Sequence, residues 1–149
     1  MKLADLFTND VKREIPPVIF FHDQDGDTLQ AEVSEYIITG GWSKKHPNHR
    51  REPNGIHEHY VGLLQKIHTG LIQNETLPAV WISGFYGSGK SLFSKLLGLS
   101  LDGITLPNGQ MLEQMWLERN TSPNRQQMID AWKQLRNSID PMAVVFDIG

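Results

Sequence analysis

Ala79-Val-Trp-Ile-Ser83-Gly84-Phe-Tyr-Gly-Ser-Gly-Lys90-Ser91 is the stretch on which the reading of this chain turns. Its first five residues form an apolar run of the kind that fills a strand buried on both faces. Its last eight fit the phosphate-loop pattern G-x-x-x-x-G-K-S/T without a mismatch. At ordinary residue usage such a match arises at roughly a few in 10⁵ starting positions. Leu92 to Leu101 follows as an apolar helix. Strand, glycine loop and helix are what the chemistry requires, because successive backbone N–H groups and a helix N-terminus then face the phosphates. Gly84, Gly87 and Gly89 allow a tight turn and close approach. Lys90 brings a mobile charge to the β- and γ-phosphates, and Ser91 offers its hydroxyl to Mg²⁺. Phe85, Tyr86 and Ser88 complete the loop, the two aromatics either stacking on a ligand or packing at the loop tip.

Outward from the loop, alternating elements suggest an α/β domain. Val18–Phe21 reads as a short strand and His22–Asp27 as a turn. Thr28 is a candidate cap for a helix with Leu29, Val33 and Tyr36 or Ile37 on one face, stopped at Gly40-Gly41. A polar loop runs from Trp42 to Gly55. Ile56, Tyr60, Leu63, Leu64, Ile67 and Leu71 recur at helical spacing. After the loop helix come a turn at Gly103 to Gly109, a short helical segment over 110–118, and a cap at Thr121-Ser-Pro123. Met128, Trp132, Leu135 and Ile139 mark a last helix, and Met142–Phe146 reads as a second buried strand. The fold expected is therefore a P-loop NTPase parallel-sheet core over 78–149, AAA-like and incomplete, with residues 1–77 as a helical and strand extension packed on it. Only 59 residues follow Lys90, fewer than a doubly wound nucleotide domain needs, so the chain is expected to be part of a longer one.

The chain has 149 residues, close to one domain's worth, and 39% of them are hydrophobic. With glycine added, the apolar share approaches the ~45–50% of globular proteins, which excludes wholesale disorder. There is no cysteine, which excludes a disulfide scaffold and thiolate chemistry and favours an intracellular setting. No apolar run approaches the ~20 residues of a membrane span, and Asp5 interrupts what would be the apolar part of a signal peptide, so a cytoplasmic protein is expected. A net charge of −3 excludes a general attraction to nucleic acid.

Further sites are weaker. Asp147, at the exit of the second strand, is the candidate acid for the Mg²⁺ shell. It lacks the glutamate that often follows such a residue. Lys44, Lys45, Arg50 and Arg51 make a compact basic patch suited either to DNA phosphates or to solvent. His46, His49, His57 and His59 lie close in sequence, but their spacing suits zinc poorly and solvation better. Asp23–Asp27 fails the calcium-loop register and reads as a turn.

From Trp81 to Ser91 the sequence resembles the P-loop proteins of bacteriophage-exclusion (BREX) and phage-growth-limitation systems, the BrxC/PglY type. Lys2–Phe7, Ile15–Val18 and Glu35–Thr39 also look like that family's N-terminus. The resemblance covers most of this chain but only the opening of a family member. It implies an ATP-driven, AAA-like ATPase subunit of an antiviral complex, working on DNA with a methyltransferase and a phosphatase-like partner. It carries over Gly84 to Ser91 with ATP and Mg²⁺. It places the magnesium acid beyond Gly149, so hydrolysis is not expected of this chain alone. Two other readings stay open: a small-molecule phosphotransferase using Asp147 and the insert 105–140, and a non-enzymatic interaction module with an exposed final strand.

Overall fold

In the computed structural model, residues 18–51, 53–77 and 79–146 are described. They form six helices: α1 (Gly26–Glu35), α2 (Pro47–Arg51), α3 (Ile56–Ile72), α4 (Lys90–Leu101), α5 (Leu112–Glu118) and α6 (Arg125–Ser138). The parallel sheet expected from the sequence is absent: among the described residues there is no strand, and the single ladder contact is the antiparallel bridge between Thr105 and Met111.

The two apolar runs expected to be strands join no ladder among the described residues. Val80 and Trp81 are exposed, and Ala79–Ser83 makes no ladder. In Met142–Phe146 residues alternate: Met142, Val144 and Phe146 are exposed, while Val145 packs on the core beside Gly98 of α4. The period of two is the right one for extended chain, but it serves a single segment lying on a helix. Two five-residue runs with no third strand bury too little to hold a sheet. Val18–Phe21 is likewise no strand.

The helices form where their apolar faces find partners. In α1, Leu29 and Val33 are buried, and the N-cap is Asp25, whose carboxylate accepts the Thr28 amide at 3.0 Å. Thr28, expected to cap, instead supplies the capped N–H group. α1 ends at Tyr36, well before Gly40-Gly41, because the Tyr36 carbonyl accepts the Arg119 Nε–H at 3.1 Å and the chain turns extended. The expected loop from Trp42 to Gly55 contains α2, opened by Pro47, whose missing N–H costs nothing at a first helical position. The expected proline start near Pro123 shifts to Arg125.

α3 packs along α6 as the most extensive helix pair, and α5 bridges α1, α4 and α6. The centre is aromatic. Trp116 of α5, fully buried, meets Tyr36, Tyr60 and Phe93 edge-on at centroid distances of 5.6, 4.8 and 5.8 Å. Trp132 of α6 stacks on Tyr60 at 6.0 Å. One buried cluster thus draws on both sides of residue 78. No helix of the described residues is long and apolar enough to cross a membrane.

The Tyr60 hydroxyl is buried and has no hydrogen-bond partner among the described residues. Burial pushes its pKa well above 10.0, the charge of Glu113 adding to this and Arg136 opposing it. Burial likewise raises Tyr36 from 10.0 to about 12. Phenols of the unfolded chain ionise near 10, whereas these two stay neutral when folded. Their contribution to stability is therefore complete below about pH 10 and is lost as the pH climbs above it. Because the orphaned hydroxyl costs roughly 1–3 kcal/mol to bury, Tyr60→Phe is expected to melt at the same or a higher temperature at neutral pH. It should also keep more of its stability than the unsubstituted chain at about pH 11. Thermal denaturation by circular dichroism measures both, and a lower melting temperature at neutral pH would contradict the packing described.

Candidate functional site

The glycine loop stands at the N-terminus of α4. Gly89 is its N-cap, with φ of +81°, a conformation that side-chain-bearing residues rarely adopt. Its carbonyl accepts the Phe93 amide at 2.9 Å. Gly84 lies so near Ser88 that a Cβ there would stand 2.8 Å from the Ser88 hydroxyl oxygen. The Ser88 amide donates to the Phe85 carbonyl at 3.2 Å and closes the loop on itself.

Lys90 folds back across this loop. Its ammonium donates to the Phe85 carbonyl at 2.7 Å and lies 3.4 Å from the Ser88 hydroxyl. Among the described residues, the amides of Gly87, Gly89, Lys90 and Ser91 donate to no acceptor. Four free N–H groups, a helix N-terminus and an ammonium thus converge on one small region, an arrangement that suits an anion with several oxygens. Ser91 is exposed beside it. Phe85 and Tyr86 are 91% and 93% exposed, so the loop-tip packing considered for them is not found.

Two contacts fix α4 behind the loop. Phe93 reaches Trp116 in the core, and Lys95, fully buried, pairs with Glu32 of α1 at 3.0–3.1 Å. At the far end of α4, Arg136 donates to the Ser100 carbonyl at 2.8 Å and pairs with Glu113 at 2.9 Å. The loop is therefore carried on a helix anchored at three points.

In front of the loop opens a cavity of about 770 Å³. Gly84, Ser88, Gly89 and Lys90 line one side, with the segment 79–83, and α3 lines the other. The N-terminus of α3 is itself occupied. Glu58 accepts the Gly41 amide at 2.8 Å and the Gly55 amide at 2.9 Å, while Thr39 accepts the Ile56 amide on its hydroxyl and the His57 amide on its carbonyl.

Of the remaining sequence candidates among the described residues, His59 lines the cavity in front of the loop and the others do not. Asp147 falls outside the described residues, as do Lys2–Phe7 and Ile15–Pro17. Lys44, Lys45, Arg50 and Arg51 are exposed on and just before α2, where Trp42 stacks on His46 at 4.4 Å. The histidines do not share one fate. His57 is no solvated residue: it is buried, 2.9 Å from the Asn120 amide nitrogen. Among the described residues no group of three or more His, Asp or Glu side chains could hold a metal.

Sequence reasoning passed over Glu58, Lys95 and the α3 wall of the cavity. Glu58 had a signal, since Gly55 with an acid three residues later is a capping pattern. Lys95 had one too, as a lone cation within Leu92–Leu99. No protein-family model matches the chain, and no solved structure matches it.

With Lys95 fully buried, removal of its partner leaves an uncompensated charge. Glu32→Ala is expected to lower stability by about 3–5 kcal/mol, and adding Lys95→Met should restore most of it. Denaturant unfolding measures both, and additive losses in the double variant would contradict the pairing.

Proposed function

We propose that the chain binds the phosphate chain of a nucleoside triphosphate, as Mg·ATP, through Gly84–Ser91. The observation that carries this is the meeting of the Lys90 ammonium with the free amides of Gly87, Gly89, Lys90 and Ser91 at the start of α4. Lys90 would leave the Phe85 carbonyl for the phosphates, and the amides would take the remaining oxygens. Ser91 would offer its hydroxyl to Mg²⁺, which would help neutralise the phosphate charge.

The loop is mounted here on a helical core. The chemistry survives that change because it uses backbone N–H groups and a helix terminus, which a helix anchored from behind presents as well as a strand–helix turn does. By the resemblance to BREX-type P-loop proteins, the role extends to nucleotide binding coupled to assembly of an antiviral ATPase complex on DNA, with a methyltransferase and a phosphatase-like partner. The exposed cations Lys44, Lys45, Arg50 and Arg51 offer such a complex a surface for the DNA backbone.

Charge-assisted hydrogen bonds contribute roughly 1.5–3 kcal/mol each, so Lys90→Ala is expected to weaken Mg·ATP binding by about 10- to 100-fold. Isothermal titration calorimetry of both chains, with phosphate release followed in the same samples, measures this. Equal affinity in the two chains, or no binding by either, would overturn the reading.

A further inference from the structure

The cavity in front of the loop extends well past the place a phosphate chain would occupy. Its volume of about 770 Å³ lies inside the ~300–1,000 Å³ range of small-molecule sites. The wall facing the loop is one side of α3, made by His59, Gly62, Leu63 and Lys66. Spacings of three and four residues put these on a single helix face. The opposite face, with His57, Tyr60 and Leu64, is buried against the core.

Gly62 is the unusual member of that wall. Glycine is among the poorest helix formers, and this one lies in the interior of a 17-residue helix. No crowding requires it: a Cβ at Gly62 would meet nothing within 4 Å. Nor does it adopt a positive φ. Its missing side chain leaves a smooth patch of helix backbone open to the cavity, between the polar ends of His59 and Lys66. Trp81 lines the same cavity from the segment 79–83, with 90% of its surface exposed. A flat backbone patch, an aromatic ring free to stack and polar side chains at the edges form a lining suited to a planar heterocycle. Glu58 is not one of its acceptors, since both carboxylate oxygens are taken by the Gly41 and Gly55 amides.

We infer that the base of the nucleoside triphosphate lies in this cavity against the Gly62 face of α3, with Trp81 as the opposing wall. The inference rests on the reading of Gly84–Ser91 as the phosphate loop. It makes Gly62 a specificity-determining position: a side chain there fills the space of the base and leaves the phosphate loop untouched.

The test uses the full chain and two probes, Mg·ATP and inorganic tripolyphosphate with Mg²⁺, titrated by calorimetry into the unsubstituted protein, Gly62→Leu and Gly62→Ala. Leucine and alanine are better helix formers than glycine, so the melting temperature of each variant is expected to hold or rise. Gly62→Leu should lose at least about tenfold in Mg·ATP affinity, Gly62→Ala should lose less, and tripolyphosphate affinity should stay the same in all three. Unchanged Mg·ATP affinity in Gly62→Leu, with tripolyphosphate still bound, would overturn the base site and leave the phosphate loop standing. Equal loss of both probes would also overturn it, since the effect would not be on the base. Failure of the unsubstituted chain to bind tripolyphosphate would overturn the phosphate-loop reading and this inference together. If Gly62→Leu does not fold, Gly62→Ala supplies the same comparison, with a smaller selective loss of Mg·ATP supporting the base site and no loss overturning it.

Discussion

The buried indole of Trp116 takes an edge-on ring from each of three directions: Tyr36 at the end of α1, Tyr60 on α3 and Phe93 on α4. α6 joins through Trp132, stacked on Tyr60. Large aromatic side chains bury more apolar surface than any other residues, and edge-to-face contacts add to that burial. Here they fix the relative positions of α1, α3, α4, α5 and α6. Both Trp116 Nε1 and Trp132 Nε1 are buried without a partner among the described residues. Packing of the rings therefore outweighs the cost of the orphaned N–H groups, and the cluster is sensitive to any loss of ring volume.

The glycine loop inherits its geometry from this cluster. Phe93 stands one turn into α4, so its contact with Trp116 sets where Gly89 and Lys90 lie. Phe93 also lines the cavity, which makes one side chain part of both the core and the candidate site. Lys95 and Glu32 then fix the rotation of α4 about its axis, and Arg136 holds its C-terminal end. The front differs: Ala79–Ser83 is exposed, and no ladder among the described residues pairs its backbone.

Helical periodicity was legible in the sequence wherever one face of a helix is buried. Tyr60, Leu64, Ile67 and Leu71 marked α3, and Met128, Trp132 and Leu135 marked α6, because a 3.6-residue repeat has one simple structural cause. The loop helix was legible from the motif. The sheet was misread for a reason intrinsic to short apolar runs. Ala79–Ser83 and Met142–Phe146 have strand composition, but composition does not supply the neighbouring strands that pair the backbone, and tertiary context decided against them. α2 was missed because a five-residue helix opened by Pro47 has no period to detect. The buried role of His57 was missed because its partners, Asn120 and Gln127, are more than 60 residues away in the chain. Of the candidate site, the residues of the glycine loop were legible one by one. The cavity wall was not, since Gly62 has meaning only once α3 and the loop face each other.

The central claim is that the amides of Gly87, Gly89, Lys90 and Ser91, which donate to no acceptor among the described residues, receive phosphate oxygens. Hydrogen exchange at those amides, followed with and without saturating Mg·ATP, tests it most directly. The account predicts that the ligand slows exchange at Gly87, Gly89, Lys90 and Ser91 and leaves the interior of α6 unchanged. Exchange at these four amides that is the same with and without the ligand would contradict it.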